Sequence, residues 1–472
     1  MNSKKHALSI FSLTMITVGS VDSIRNLPAT ALFGSQLIAF FILGALCFLI
    51  PTALVSAELA SGWPKQGGIY VWVKEAFGKK MGFLAIWLQW IENVIWYPTI
   101  LSFVAGSVGY LIDPNLAKNP YFLWTVIVGS FWAVTLVNLY GMRSSAWFSN
   151  ICALAGLILP MTLIILLGAL WIHGGNPIAI QFDKASIMPH WSDSSMWVSL
   201  TAIMMSFCGI EIATVHANDV ANPQQAFPKA LILSVVIILS TLILGSLAIA
   251  VVLPHDEINL VAGIMQAFHA FLAQYDLVYC LPLAAMMLVL GGLGGVSNWI
   301  IAPTKGLMVA ACEGNLPTFF QRENQHGAPI VLLVSQAIIV TLLAALFLFM
   351  PSVNGSYWFL TALAAQLYML MYFIMFIAVI KLRKSAPEHQ RPFRIPGGML
   401  GLLIVSGIGI FGVLMTLVVS FLPPEGIDIG NILNYEGALV LGLTVMCLPP
   451  FISGWWLERS KRRLGSATVV EC

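Results

Sequence analysis

The chain has 472 residues, of which 59% are hydrophobic and 9% charged, with a formal net charge of +2. Soluble domains carry roughly 25% charged residues, so this chain cannot cover a water-facing surface and its solvent is largely lipid. The small net charge gives no electrostatic basis for a nucleic-acid partner, and the 15 Trp and 11 Tyr fit the aromatic belts of membrane interfaces.

Lys4 and Lys5 precede an apolar stretch that runs through Arg25-Asn26-Leu27-Pro28 into a second hydrophobic run. No small-residue cleavage site follows, so the first segment is expected to be retained as a membrane helix rather than removed. About 20 residues cross a ~30 Å hydrocarbon core as a helix. On that measure spans are predicted over 9–33, 36–60, 81–111, 122–141, 147–172, 194–217, 229–253, 277–308, 330–350, 356–381, 398–422 and 434–456. Gly62 to Gly78 reads as a short amphipathic connector, and the other connectors are short. Residues 1–472 therefore read as one transmembrane domain of an all-α polytopic protein with 12 membrane helices.

Orientation follows from the basic residues. Lys4, Lys5, Lys65, Lys74, Lys79, Lys80, Arg143, Lys229, Arg322, Lys381, Arg383, Lys384, Arg391, Arg394, Arg459, Lys461, Arg462 and Arg463 fall on one side of the predicted spans. The opposite loops hold only Lys118 and Lys184. Both termini are thus expected in the cytoplasm, with the chain crossing the cell's inner (plasma) membrane many times. The seven Cys are scattered and form no C-x-x-C pair, so neither a zinc site nor a disulfide framework is indicated. Gly291-Gly292-x-Gly294-Gly295 follows no strand, so it reads as close helix packing rather than a nucleotide loop. No cofactor or metal motif is present in the sequence, and no H-E-x-x-H or nucleophile elbow suggests an enzyme.

Span 1 holds Gly19-Ser20-Val21-Asp22-Ser23-Ile24-Arg25-Asn26-Leu27-Pro28, and span 6 holds Ser206-Phe207-Cys208-Gly209-Ile210-Glu211. Gly and Ser weaken a helix and Pro removes a donor. Irregular backbone at membrane depth survives only against protein or a water-filled cavity. Two interruptions five spans apart point to an inverted-repeat carrier with substrate between the breaks; the competing reading is a proline kink in span 1 and a packing glycine in span 6.

Asp22 and Arg25 are costly at mid-membrane unless paired or hydrated. Three residues apart, they either pair with each other or face a substrate, Arg25 toward a carboxylate and Asp22 toward an ammonium. Glu92, with Gln89, Asn93, Trp87 and Trp90, makes part of span 3 polar: a packing and water-lined face, a proton or cation site, or a partner for Arg25. Glu58 is expected at the interfacial end of span 2. Tyr368 and Tyr372 share one face of span 10 and either cap a substrate, with cation–π contact, or pack. His216 and Asp219 read as a solvated helix end or a pH-sensing pair.

These segments resemble the amino acid/polyamine/organocation superfamily of transporters. The matches are Asp22-Ser23-Ile24-Arg25-Asn26-Leu27-Pro28 at its unwound segment and Pro64-x-x-Gly67-Gly68-x-Tyr70-x-Trp72 at its cytoplasmic loop. Gly209-Ile210-Glu211 followed by Asn222-Pro223 matches its sixth helix. Three more motifs are similar to its glutamate/GABA antiporter branch: Glu257-Ile258-Asn259-Leu260-x-x-Gly263-x-Met265-Gln266, Phe393-Arg394-Ile395-Pro396-Gly397-Gly398 and Ser420-Phe421-Leu422-Pro423-Pro424.

The resemblance implies a five-plus-five inverted-repeat (LeuT-like) fold. The first repeat would cover 9–172 and the second 194–381, with two accessory helices in 398–456. It implies alternating access and exchange of amino acids, with glutamate for GABA as the pair. Gly19, Val21, Asp22 and Ser23 would then lie where relatives hold the substrate carboxylate, although a carboxylate at Asp22 departs from that pattern and favours an amine or cationic group. Met205 stands at the place of a gating Trp, and Cys208, Gly209, Trp299, Asn298 and Ser297 fall where relatives line the pocket. Glu211 would brace the broken helix, contact substrate or carry a proton.

Span 5 lacks a Lys found in some proton-coupled relatives, which favours exchange over proton- or sodium-driven symport. The residues from Leu457 to Cys472 are too few to plug the entrance as some relatives' tails do, so tail-based inhibition is not expected. The expected partners are a small amino acid or amine and membrane lipid; no motif chooses between monomer and homodimer.

Overall fold

The computed structural model describes residues 9–65, 67–140, 152, 154–188, 197–213, 223–300 and 302–453. The described residues are helical and form no strand. The first elements are α1 (Ile10–Val21), α2 (Leu27–Ala31), α3 (Gly34–Gly62), α4 (Ile69–Phe77), α5 (Lys79–Ile112), α6 (Pro120–Leu139) and α7 (Leu154–His173). Next come α8 (Ser199–Ser206), α9 (Ile210–Ala213), α10 (Pro223–Val252), α11 (Gly263–Gln274), α12 (Leu281–Trp299) and α13 (Ala302–Ala310). The chain continues through α14 (Ile330–Phe349), α15 (Val353–Ser385), α16 (Gly398–Val419) and α17 (Ile432–Ser453).

Ten described helices are long and apolar enough to cross a membrane. The expected spans 9–33 and 194–217 are not continuous rods. Each is occupied by two shorter helices flanking non-helical backbone. His216, Asp219, Asn222, Arg143, the residues after 453 and the side chain of Asn298 lie outside the described residues.

Helices α5 and α15 form the centre. In each, 72% of the most apolar window is buried inside the protein, against 11% for α17 at the periphery. Leu433, Leu441 and Phe451 of α17 are exposed, as suits side chains whose solvent is lipid. The glycine run of α12 packs as its composition suggests. A Cβ on Gly291 would stand 2.6 Å from Gly156 Cα, so only paired glycines let α7 and α12 approach.

The loop motifs act as braces. Asn259 Oδ1 accepts the N–H groups of Val261 and Ala262 at 2.9 and 3.0 Å. Gln266 and Asn354 tie the same loop to its neighbours. Glu58, near the end of α3, is fully buried. A carboxylate there must be paired to be tolerated, and it is. Arg383 Nε donates to Oε1 at 2.8 Å, its terminal nitrogen bonds Oε2, and the Ile395 N–H donates to Oε2 at 2.8 Å. The Phe393–Gly398 motif thus docks on α3 through Glu58.

Candidate functional site

Helix α1 ends at Asp22, whose N–H closes the last turn onto the Val18 carbonyl at 2.7 Å. Asp22 and Ser23 are extended, at φ/ψ of −70/130° and −149/119°. A 3-10 turn over Ile24–Asn26 then leads into α2, with Pro28 in its first turn. Proline is tolerated there because the missing N–H would be unpaired anyway. The break therefore precedes Pro28 and is not a proline kink.

Helix α8 stops at Ser206, the chain turns through Phe207–Cys208–Gly209, and α9 begins at Ile210. Gly209 has φ +105°, a conformation glycine adopts without steric cost. The two breaks touch. A Cβ on Gly209 would lie 2.7 Å from the Ser20 carbonyl oxygen and 3.2 Å from the Trp299 ring.

Beside this contact is a cavity of about 160 Å³. On that measure a water needs on the order of 10–15 Å³, so the space suits a small solute. The cavity takes in every residue of 19–26 and also Glu92, Met205, Cys208, Trp299 and Tyr368. The remaining candidates stand behind the wall. Gly209 donates its N–H to the Tyr372 hydroxyl at 3.0 Å, and that hydroxyl donates to Glu211 Oε2 at 2.5 Å. Tyr368 and Gln89 donate to Glu211 Oε1 at 2.7 and 2.9 Å. Glu211 thus joins α9 to α5 and α15 through three donors, the geometry of a brace. The stacked Tyr368 and Tyr372 rings, 4.9 Å apart, share that duty.

Asp22 and Arg25 do not form the ion pair that their spacing allows. The extended backbone at Asp22 and Ser23 takes the two side chains off a common helical face. Asp22 Oδ2 accepts from Thr241 of α10 at 2.8 Å. Arg25 donates one terminal nitrogen to Thr99 Oγ1 at 2.8 Å and to the Tyr357 hydroxyl at 3.1 Å. Its guanidinium lies 5.4 Å from the Trp96 ring centroid. Glu92 accepts from Asn93 Nδ2 at 3.1 Å.

Trp96, Thr99, Tyr357 and Thr241 are partners that the sequence reading missed. Trp96 follows Glu92 by four residues and Tyr357 precedes Tyr368 by eleven, about three helical turns, so the helical faces already in view would have found both. Thr241 sits alone in an apolar helix and carries no such signal. Trp87 was grouped with Glu92, yet it leaves the cavity and donates to the Met446 carbonyl at 2.8 Å.

A cavity that carries buried charged side chains and is bordered by two interrupted membrane helices defines a small-molecule carrier. The chain belongs to the amino acid permease family, whose profile matches residues 8–445. It is 44% identical over 452 residues to an uncharacterised transporter of Legionella pneumophila, covering 96% of this chain and 97% of the relative. It is 31% identical to a glutamate/gamma-aminobutyrate antiporter of Lactococcus lactis, over 96% of this chain and 90% of the relative. A probable agmatine/putrescine antiporter of Lactococcus lactis is 23% identical over 90% of each chain. These relatives are transporters rather than enzymes, and the expected superfamily and branch stand.

Proposed function

We propose that this chain is an amino acid antiporter of the cell inner membrane, working by alternating access. It would have 12 spans, both termini in the cytoplasm and the five-plus-five inverted repeat over 9–172 and 194–381, with accessory helices in 398–456. The pair of exchanged solutes suggested by the relatives is glutamate and γ-aminobutyrate. The observation that carries the reading is the meeting of two interrupted helices, through Gly209 and the Ser20 carbonyl just before the Asp22–Ser23 break, beside a cavity lined by Asp22, Arg25 and Glu92. Non-helical backbone at membrane depth needs such a cavity to receive its polar groups.

Symport driven by protons or sodium is the second reading. It rests on Asp22 and Glu92, two buried carboxylates on the cavity wall. Counterflow into proteoliposomes separates the two. An exchanger accumulates labelled amino acid only when unlabelled solute is inside, with ion gradients collapsed. A symporter needs the gradient and ignores the internal solute.

A further inference from the structure

We propose that Glu92 is a proton-binding residue of the cavity wall, taking a proton from cavity water and returning it there as the carrier turns over. It deepens the carrier reading, on which the turnover rests, by naming the group that holds the proton.

Glu92 lines the cavity from α5, and Asp22 and Arg25 line it from the first break. Glu211 stands one layer behind, bonded to the wall residue Tyr368. Asp22 is 7% exposed, Arg25 3%, and Glu92 and Glu211 2% each. Three carboxyl groups thus surround one guanidinium among the described residues at this cavity. With all four ionised, two negative charges would be uncompensated. Charge at membrane depth is tolerated when paired or hydrated, and an unpaired buried carboxylate neutralises by taking up a proton.

Hydrogen bonding and neighbouring charge decide which carboxyl takes it. Glu211 accepts from Tyr368, Tyr372 and Gln89, a donor set that favours the ionised form. Asp22 accepts from the Thr241 hydroxyl at 2.8 Å. Glu92 has the amide of its neighbour Asn93 at 3.1 Å and a second carboxylate, Glu211, within electrostatic reach. Two carboxylates that repel each other share a proton readily. A proton on Glu92 lowers the excess from two charges to one and ends its repulsion with Glu211. Cys208 in the second break, Tyr368 on α15 and Tyr97 on α5 also lie in the field of Glu92, and none of them offers a positive charge.

Arg25 pulls the other way. Its guanidinium acts on Glu92 while Thr99, Tyr357 and the Trp96 face hold it. Thr99 and Glu92 are seven residues apart on α5, two turns along one face. A turn of the guanidinium from Thr99 toward Glu92 breaks the carboxyl O–H bond and passes the proton to cavity water. Its return to Thr99 and Tyr357 draws a proton back from that water.

The test reads protonated carboxyl groups in full-length protein in lipid, by infrared difference spectra between acid and alkaline pH. The wild type should show the C=O stretch of a buried carboxylic acid that disappears as pH rises. Glu92→Gln should lack that band. Glu92→Asp should move it in frequency, and serves where Glu92→Gln does not fold. Glu211→Gln should shift its loss to lower pH, because the repelling carboxylate is gone. Counterflow of the wild type should vary with pH by up to about tenfold per unit, as one proton requires, and the Glu92→Gln profile should be flat. A carboxylate that only supports the fold would change the rate equally at every pH.

A wild type without the band would overturn the proposal. So would a band that both Glu92 variants leave intact, one that Glu211→Gln or Asp22→Asn removes, or a pH profile that Glu92→Gln does not alter. A Glu92 band in protein that shows no counterflow would instead remove the exchange reading and leave the proton site in place.

Discussion

Gly209 meets the carbonyl oxygen of Ser20 so closely that a methyl group at Gly209 would sit 2.7 Å from it. The two residues lie 189 positions apart in sequence, and their contact holds the broken segments together at the cavity. Gly209→Ala forces a left-handed non-glycine backbone and a steric overlap with main chain, which cannot rotate away. Such strain costs about 1–3 kcal/mol. The variant should lose exchange activity and melt several degrees lower in detergent. An active, equally stable Gly209→Ala protein would show that the contact is not needed.

Tyr372 links the second break to Glu211, accepting from the Gly209 N–H and donating to the carboxylate. Tyr372→Phe leaves a buried N–H and a buried carboxylate each one partner short, a loss of about 1–3 kcal/mol for an unsatisfied group. Maximal exchange rate should fall while substrate affinity is kept, because Tyr372 stands behind the cavity wall. A loss of affinity with an unchanged maximal rate would place Tyr372 in substrate binding instead of bracing.

Glu58 and Arg383 form a buried ion pair whose carboxylate also receives the Ile395 N–H. Removing one partner of a buried pair strands the other, typically at about 3–5 kcal/mol. Glu58→Gln should therefore destabilise the protein far more than Glu75→Gln, whose pairing with Lys65 is exposed. Thermal denaturation of the two variants in the same detergent compares them directly.

Outside the membrane spans, Glu313 ties α4 to the segment after α13. Lys74 Nζ donates to its two oxygens at 2.5 and 2.6 Å and Tyr70 at 2.8 Å. Burial pushes the Glu313 carboxyl up, but the bonds from Lys74 and Tyr70 outweigh it and hold the group below its ordinary value of 4.5. A depressed carboxyl stabilises the fold above its unfolded-state value, and that contribution is lost as pH falls through the folded value. Wild-type melting temperature should thus drop below pH 4.5 by more than that of Glu313→Gln. The difference should correspond to about 1 kcal/mol or less, because the pair is partly exposed. Parallel curves would show that the pair contributes nothing.

The break in span 1 could be read from sequence because membrane helices seldom collect Gly, Ser, Asp, Arg and Asn in ten residues, whereas Gly209 in span 6 also fitted a packing glycine. The cavity wall was read in part, since Glu92, Met205, Trp299 and Tyr368 lie on it and Glu211, Gln89 and Tyr372 stand one layer behind. Spacing alone could not show that Asp22 and Arg25 part company. Their helical offset assumes a helix, and the backbone at Asp22 and Ser23 is extended. The burial of Glu58 was not legible, because its cover comes from Arg383 and the chain from Phe393 to Ile395, more than 300 residues away in sequence. The partners of Asp22 and Arg25 on α5, α10 and α15 are products of packing, and a lone Thr241 among Ile and Leu announces nothing.

The most direct test of the account is the reach of water and solute at the break. With all seven native cysteines replaced, Ser20→Cys can be challenged in proteoliposomes with a charged, water-soluble thiol reagent. Ser20 is partly accessible on the cavity wall, so the cysteine should react, and a transported amino acid should slow the reaction severalfold. A cysteine that never reacts, or one whose rate no transported solute alters, would contradict a substrate cavity between the two breaks.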